Sequence, residues 1–407
     1  MEKNILHKNN AKNLILGKSL SKFGDVLFDY ANSVWLVNMN RNNSKLLAIY
    51  QSSEVLVAVL LNLIGGVISD SSNRKKILFK IDIISGILCI LISFLNNRYL
   101  MFGLLLLNII FAVLSAFKSP TYKSIFKEIF IKERIGNVNS LYEAISESIR
   151  VLGPLLSLII LSEIGLKESL LVNGCSFFLS AYFINKLVRL ENVQYKKDKK
   201  NFYFFIREIK SGFNYLYQNK IILYLIILSC FVNFTLAGYN LFLPYSVEMY
   251  SSLGESVYAK FLTISSIGGI MGSYCNTKIK QKYNLKRMIN TLGLCGVFLT
   301  FSSFFYYLIP NILGIGSMIL LFNFFLSIYN IQFMTYIQTN VDEIYIGKVF
   351  SIVFSVAILL MPIGTMTFSR IMKTNSTYNF SIFGVLIIIS VILFLIILHI
   401  NLKGENQ

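Results

Sequence analysis

Runs of about 20 apolar residues recur along the whole chain, separated by short polar stretches, and each is long enough to cross about 30 Å of hydrocarbon as a helix. We read twelve, near 13–38, 46–69, 77–96, 99–117, 139–162, 168–188, 221–244, 256–276, 288–308, 312–335, 346–369 and 378–400. Lipid offers no partner to backbone N–H and C=O groups, so segments of this kind span as helices, and the chain is expected to be an all-α integral membrane protein. Composition agrees, with 55% hydrophobic residues, 14% charged ones and a mean hydropathy of +0.63, which is far from the balance of a soluble domain.

A formal charge of +18 would point to nucleic acid in a soluble protein, but the basic residues are distributed by topology. Counted along alternate loops from an inside N-terminus, 28 of the 38 Lys and Arg fall on one side and 7 on the other, with Lys18, Lys22 and Arg150 inside spans. By the positive-inside rule both termini are cytoplasmic, and a multi-pass protein of the cell membrane, here a bacterial plasma membrane, is expected without a nucleic-acid partner. The N-terminal stretch MEKNILHKNNAKN lacks a cleavable signal pattern, so the first span is expected to stay as an anchor. Arg370 and Lys373, on the outer side, break the charge rule. Cys89, Cys175, Cys230, Cys275 and Cys295 lie inside spans without CxxC spacing, and neither disulfides nor a metal site is implied.

Charges inside spans are costly, at roughly 2.5–3.5 kcal/mol each near mid-bilayer on insertion scales, so they need a protein or water lining. The fifth span carries Glu143, Glu147, Arg150 and Pro154 at i, i+4, i+7 and i+11, one face of a helix. The first span repeats the pattern with Lys18, Lys22, Asp25 and Asp29. The two lysines sit where they can snorkel toward the cytoplasm; the two aspartates lie deeper. Such carboxylates can load and release protons as their surroundings change. Asp25, Asp29, Glu143 and Glu147 are thus candidate proton carriers, with Arg150 as an internal counter-ion. Glu54 reads as interfacial, and Asp82 is a further buried candidate.

Between the second and third spans, Gly66, Asp70, Arg74 and Lys75 resemble the signature loop of the major facilitator superfamily, GxxxD(R)xGR(R/K), with Ser71 and Asn73 in place of an Arg and a Gly. Gly66 would let helices approach closely, and Asp70 with Arg74 would form a latch at the cytoplasmic face. A weak internal repeat pairs Ser124 with Thr335, Gly136 with Gly347 and Ser140 with Ser351, as two related six-helix halves would leave behind. The loop has an echo in Gly272, Asn276 and Lys280. We therefore expect an N-terminal six-helix bundle over 1–188, a connector with an amphipathic interfacial helix over 189–220, and a C-terminal bundle over 221–407.

The second half uses amides where the first uses charges. Asn233, Tyr239, Asn240, Asn323, Asn330 and Gln332 read either as the lining of a substrate cavity or as interhelical hydrogen-bonding groups. The twelfth span is almost wholly apolar and reads as lipid-facing.

Ser21-x-x-Gly24-Asp25 with Ala31 and Trp35-Leu36, Ile81-Asp82-Ile83, and Met361-Pro362-Ile363-Gly364 resemble the macrolide-efflux branch of drug:proton antiporters. Gly153-Pro154 is similar to the fifth-helix motif that this superfamily associates with antiport, with Ser157-Leu158 where a Gly pair is usual. The resemblance implies two pseudo-symmetric six-helix bundles and alternating access between them. It also implies export of a lipophilic or amphipathic small molecule, driven by a proton gradient and needing no cofactor. Protons, substrate and membrane lipids are the expected partners of a monomer. A lipid or glycolipid flippase of the same fold is the nearest alternative, followed by a solute:proton symporter. A membrane-embedded enzyme would need a catalytic cluster, and the sequence holds no His pair, metal-ligand spacing or phosphate loop.

Overall fold

The computed structural model describes residues 2–39, 44–71, 73–130, 132–189, 202–278 and 285–404. Among them the secondary structure is helical, with no strand. The helices are α1 (Glu2–Met39), α2 (Lys45–Ser71), α3 (Arg74–Ser93), α4 (Asn97–Ile129), α5 (Lys132–Asn185), α6 (Phe202–Gln218), α7 (Lys220–Phe242), α8 (Ser246–Met249), α9 (Val257–Lys278), α10 (Leu285–Thr300), α11 (Ser302–Leu308), α12 (Ile312–Asn340), α13 (Glu343–Ile371) and α14 (Asn379–Gly404). Among the described residues six segments, including Asn97–Ser119, Lys220–Phe242 and Asn379–His399, are long and apolar enough to span on hydropathy alone. The first span, with its four ionisable residues, is not one of those six.

Two compact units emerge, one of Met1–Met39 and Ser53–Lys200, the other of Asn40–Ser52 and Asn201–Gln407. In the first, α1 packs along α5, α5 also packs on α3, and α3 on α4. In the second, α7 packs on α13 and α14, and α10 on α12 and α14. The same pairings recur because the same small residues recur. A Cβ on Gly86 or Gly174 would lie 3.1 Å from the other's carbonyl oxygen, and Gly296 and Gly384, each 210 residues further on, stand in the same relation across α10 and α14. Likewise Gly153 of α5 abuts Val26 of α1, while Gly364 of α13, 211 residues on, abuts Ala237 of α7. Without a hydrophobic force between helices in lipid, such close backbone approach is a main source of packing energy.

The fifth and sixth spans form one element, broken at Gly165 (φ 86, ψ 179). Only glycine reaches that region readily, so the chain reverses there without a loop. Helical dihedrals hold through Pro154, and the break at Gly165 falls between the fifth and sixth spans. The N-terminal polar stretch also departs from expectation by continuing the first helix. Asn10 donates to the Ile129 carbonyl (3.2 Å) and the Val188 carbonyl (2.7 Å) and accepts from Val188 N–H (2.9 Å). These bonds tie the extension to a cluster of Leu14, Leu78, Ile125 and Phe126.

α6 docks on α13 through buried Tyr215, whose ring stacks on Tyr345 at 4.5 Å and whose hydroxyl accepts from Asp342 N–H at 3.1 Å. Residues 190–201 of the expected connector lie outside the described set. α14 is not wholly lipid-facing: Phe380, Phe383 and Ile387 are buried, while Ile389, Ile392, Leu393 and Ile396 are exposed. An apolar face of that size is tolerable only against lipid or a partner.

Candidate transport site

Glycine brings α1 close to α5. A Cβ on Gly24 would collide with Asn173 and Ser176, and one on Gly153 would come within 2.8 Å of Val26 Cγ1. These two contacts flank Asp25 and fix its height. Beside it a cavity of about 210 Å³ opens within the first unit, lined by Lys22, Asp25 and Asp29 of α1, Glu54 of α2, and Asn108 and Lys118 of α4. Phe28, Phe111 and Phe177 supply apolar wall. Three carboxylates and two ammonium groups thus share one small space in spanning helices, where each would be expensive alone.

Charge counting along the loops places Lys118 in a cytoplasmic segment, and the structure corrects this. Its Nζ lies 2.5 Å from Asp82 Oδ1 and 2.5 Å from Ser21 Oγ, while Ser180 donates to Asp82 Oδ2, also at 2.5 Å. The Asp82 side chain is fully buried. The Lys118 ammonium also lies 5.0 Å from the centre of the Phe177 ring. Lys18 does not snorkel either: its ammonium sits over the Tyr142 ring at 3.4 Å, with Tyr122 and Phe126 close by. Glu54, which reads as interfacial in the sequence, belongs to the cavity.

The second charged stripe is elsewhere. Arg150 and Glu147 pair at 2.9 Å with side chains 50% and 37% exposed, and Glu143 is exposed. The structure therefore gathers Asp25 and Asp29 with Glu54 in one cavity, and Glu143, Glu147 and Arg150 do not line it. Gly153 and Pro154 are buried, Gly153 against α1.

At the signature loop, the surroundings of Gly66 and the side chain of Asp70 lie outside the described set. Asn73, standing where the family pattern has Gly, caps α3 by accepting from Lys76 N–H at 3.1 Å. Asn73 also accepts from Arg189. Arg74 reaches the fully buried carboxylate of Glu128 at 2.8 Å, and Arg189 Nε lies 3.2 Å from its other oxygen. Lys75 donates to the Leu187 carbonyl at 2.8 Å. Burial and, after it, the neighbouring Arg189 guanidinium hold the Lys75 pKa below its ordinary value.

In the second unit, Asn233 and Asn330 line a cavity of about 190 Å³ with Ser229, Leu236, Tyr329 and Phe333. Asn323 instead donates across to Ser265 (3.1 Å) and Gln332 to Asn276 (3.4 Å), both interhelical bonds. Tyr239 is buried between Phe322 and Phe380, and the Asn240 carbonyl accepts from Gln51. At an offset of 211, Lys22 corresponds to Asn233, Asp25 to Leu236 and Lys118 to Tyr329, so this cavity is the uncharged counterpart of the first.

The profile of the Major Facilitator Superfamily matches residues 43–365. The chain belongs to that family. It is 23% identical over 365 residues to an uncharacterized MFS-type transporter, YfiS, of Bacillus subtilis (strain 168), covering 86% of this chain and 84% of that one. Solved structures of the same fold include the nucleoside transporter NupG, with a TM-score of 0.72 and 13% identity over 95% of this chain and 98% of that one. A bacterial homologue of the iron transporter ferroportin matches with a TM-score of 0.74 and 15% identity, over 95% and 97% of the two chains. A bacterial homologue of the human lysosomal transporter Spinster follows at 0.72 and 14%, over 96% of each. This chain is a multi-pass membrane transporter of that superfamily, not an enzyme.

Proposed function

We propose that the protein is a proton-coupled secondary transporter that exports a lipophilic or amphipathic small molecule, with macrolide-like drugs as the first candidates, by alternating access. The observation that carries this reading is the charge asymmetry between repeat-related cavities. Asp25, Asp29 and Glu54 gather with Lys22 and Lys118 in one unit, while Asn233, Leu236, Tyr329 and Asn330 stand in the other. Carboxylates that line a cavity within spanning helices, with ammonium groups beside them, are suited to bind and release protons as the cavity opens and closes. Amides and aromatic rings are suited to an uncharged or amphipathic solute. Both termini lie in the cytoplasm of a cell whose plasma membrane holds the monomer, and Asp70 with Arg74 latches the cytoplasmic face.

The test uses everted vesicles holding the protein, an imposed pH gradient and a panel of radiolabelled lipophilic drugs. Accumulation that collapses with the gradient is expected. Scrambling of labelled lipid without gradient-driven accumulation of any solute would replace this reading with a flippase.

A further inference from the structure

The two units carry nearly the same helix crossing with different chemistry at its centre. Gly86 and Gly174 set the contact of α3 with α5, and Gly296 and Gly384 set that of α10 with α14. Four residues before the first glycine of each pair stand Asp82 and Leu292, both fully buried. Six residues after the second stand Ser180 and Ser390. Ser180 donates to Asp82, whereas Ser390, with Leu292 in the acid's place, turns back to the Leu386 and Ile387 carbonyls of its own helix. The crossing is therefore built equally well without a charge, and a buried ion pair rarely stabilises more than apolar side chains of similar size. Packing alone does not account for Asp82 and Lys118.

Lys118 also borders the cavity. Its side chain is 13% exposed, and the ammonium at the end of the flexible four-carbon stem is held by Ser21. Asp25 is one turn along α1 from Ser21 and lines the same cavity. The ionisable groups facing this point are Lys22, Asp25 and Asp29 of α1, Glu54 of α2 and Asp82 of α3. Further back stand Cys89 of α3, Lys18, Tyr122 and Tyr142.

We propose that Lys118 is the positioning residue of the proton site. Its ammonium rests on Asp82 and Ser21 in this structure, the arrangement that goes with a protonated Asp25, and it swings across the shared cavity toward Asp25 when that carboxyl releases its proton. The inference rests on the reading of this cavity as the proton-loading site. It adds a residue in α4 and an acceptor in α3 that link protonation to the packing of α4 against α1 and α3.

Infrared difference spectroscopy of the purified protein, titrated between acidic and alkaline pH, reads the C=O stretch of protonated carboxyls directly. A band lost in Asp25→Asn identifies Asp25. In the double variant Lys118→Met with Asp82→Leu, which copies the apolar centre of the second unit, thermal melting is expected to stay near that of the wild type. The titration of the Asp25 band is expected to be displaced by about one pH unit or more, as loss of a neighbouring charge in the same cavity implies, and Lys118→Arg should leave it close to the wild-type position. Should the double variant not fold, Ser21→Ala, which removes only one partner of the ammonium, is expected to displace the band's titration by a smaller measurable amount. A band that titrates as in the wild type in these variants overturns the role of Lys118 while leaving the proton site standing. Absence of any band lost in Asp25→Asn overturns both.

Discussion

Gly86 and Gly174 approach so closely that a Cβ on either would stand 3.1 Å from the other's carbonyl oxygen. Gly384, the repeat counterpart of Gly174, is tighter still, since its Cβ would collide with the backbone nitrogen and hydroxyl of Thr300. Gly384→Ala is expected to destabilise the second unit by about 1–3 kcal/mol, the usual cost of overpacking, and Gly174→Ala by less. Melting of the detergent-purified variants ranks the two.

Gly165 has a backbone conformation that side-chain-bearing residues rarely adopt, and only Glu168 Oε2 lies near its open side. Space is therefore not the obstacle to substitution there, and conformation is. Gly165→Ala should cost about 1–3 kcal/mol, visible as a lower melting temperature, whereas Gly254→Ala, in open space at a similar φ, tests whether the cost follows the backbone alone.

Glu128 is fully buried and faces both Arg74 and Arg189. Glu128→Gln keeps its shape but removes the negative charge that both guanidinium groups face. Because Arg74 and Arg189 keep some contact with solvent, the loss should fall at the lower end of the range for a broken buried pair, about 3 kcal/mol. The yield of monodisperse protein and its melting temperature measure it.

The separation of the two acidic stripes gives a contrast in transport. Asp25→Asn and Asp29→Asn should each abolish accumulation driven by a pH gradient in everted vesicles, with unchanged membrane insertion. Glu147→Gln breaks an ion pair whose partners are already half exposed, so its direct effect on stability should be within about 1 kcal/mol. Loss of gradient-driven transport in Glu147→Gln as severe as in Asp25→Asn would move the proton site to α5.

Much of the fold is legible in the chain because spanning helices must satisfy their own backbone, so length and hydropathy nearly suffice to find them. The internal repeat is legible too, although its clearest signal, the glycines at 86, 174, 296 and 384, stands out only once the helices are seen to cross there. A small residue matters only through what it faces, and a single helix does not reveal that.

The candidate site is only partly legible. Periodicity puts Lys22, Asp25 and Asp29 on one face of α1, and that face does line the cavity. Periodicity cannot join residues far apart in sequence, which is why Lys118 passes for a topological charge and Glu54 for an interfacial one; the stripe of Glu143, Glu147 and Arg150 is legible as a stripe but does not line this cavity. The sequence alone determined a helical membrane protein with its intramembrane charges concentrated in the first half, since both follow from solvation costs that act residue by residue. Only the tertiary structure decided which of those charges meet, because the pairing of Lys118 with Asp82 and Ser21 depends on how closely glycine lets three helices approach.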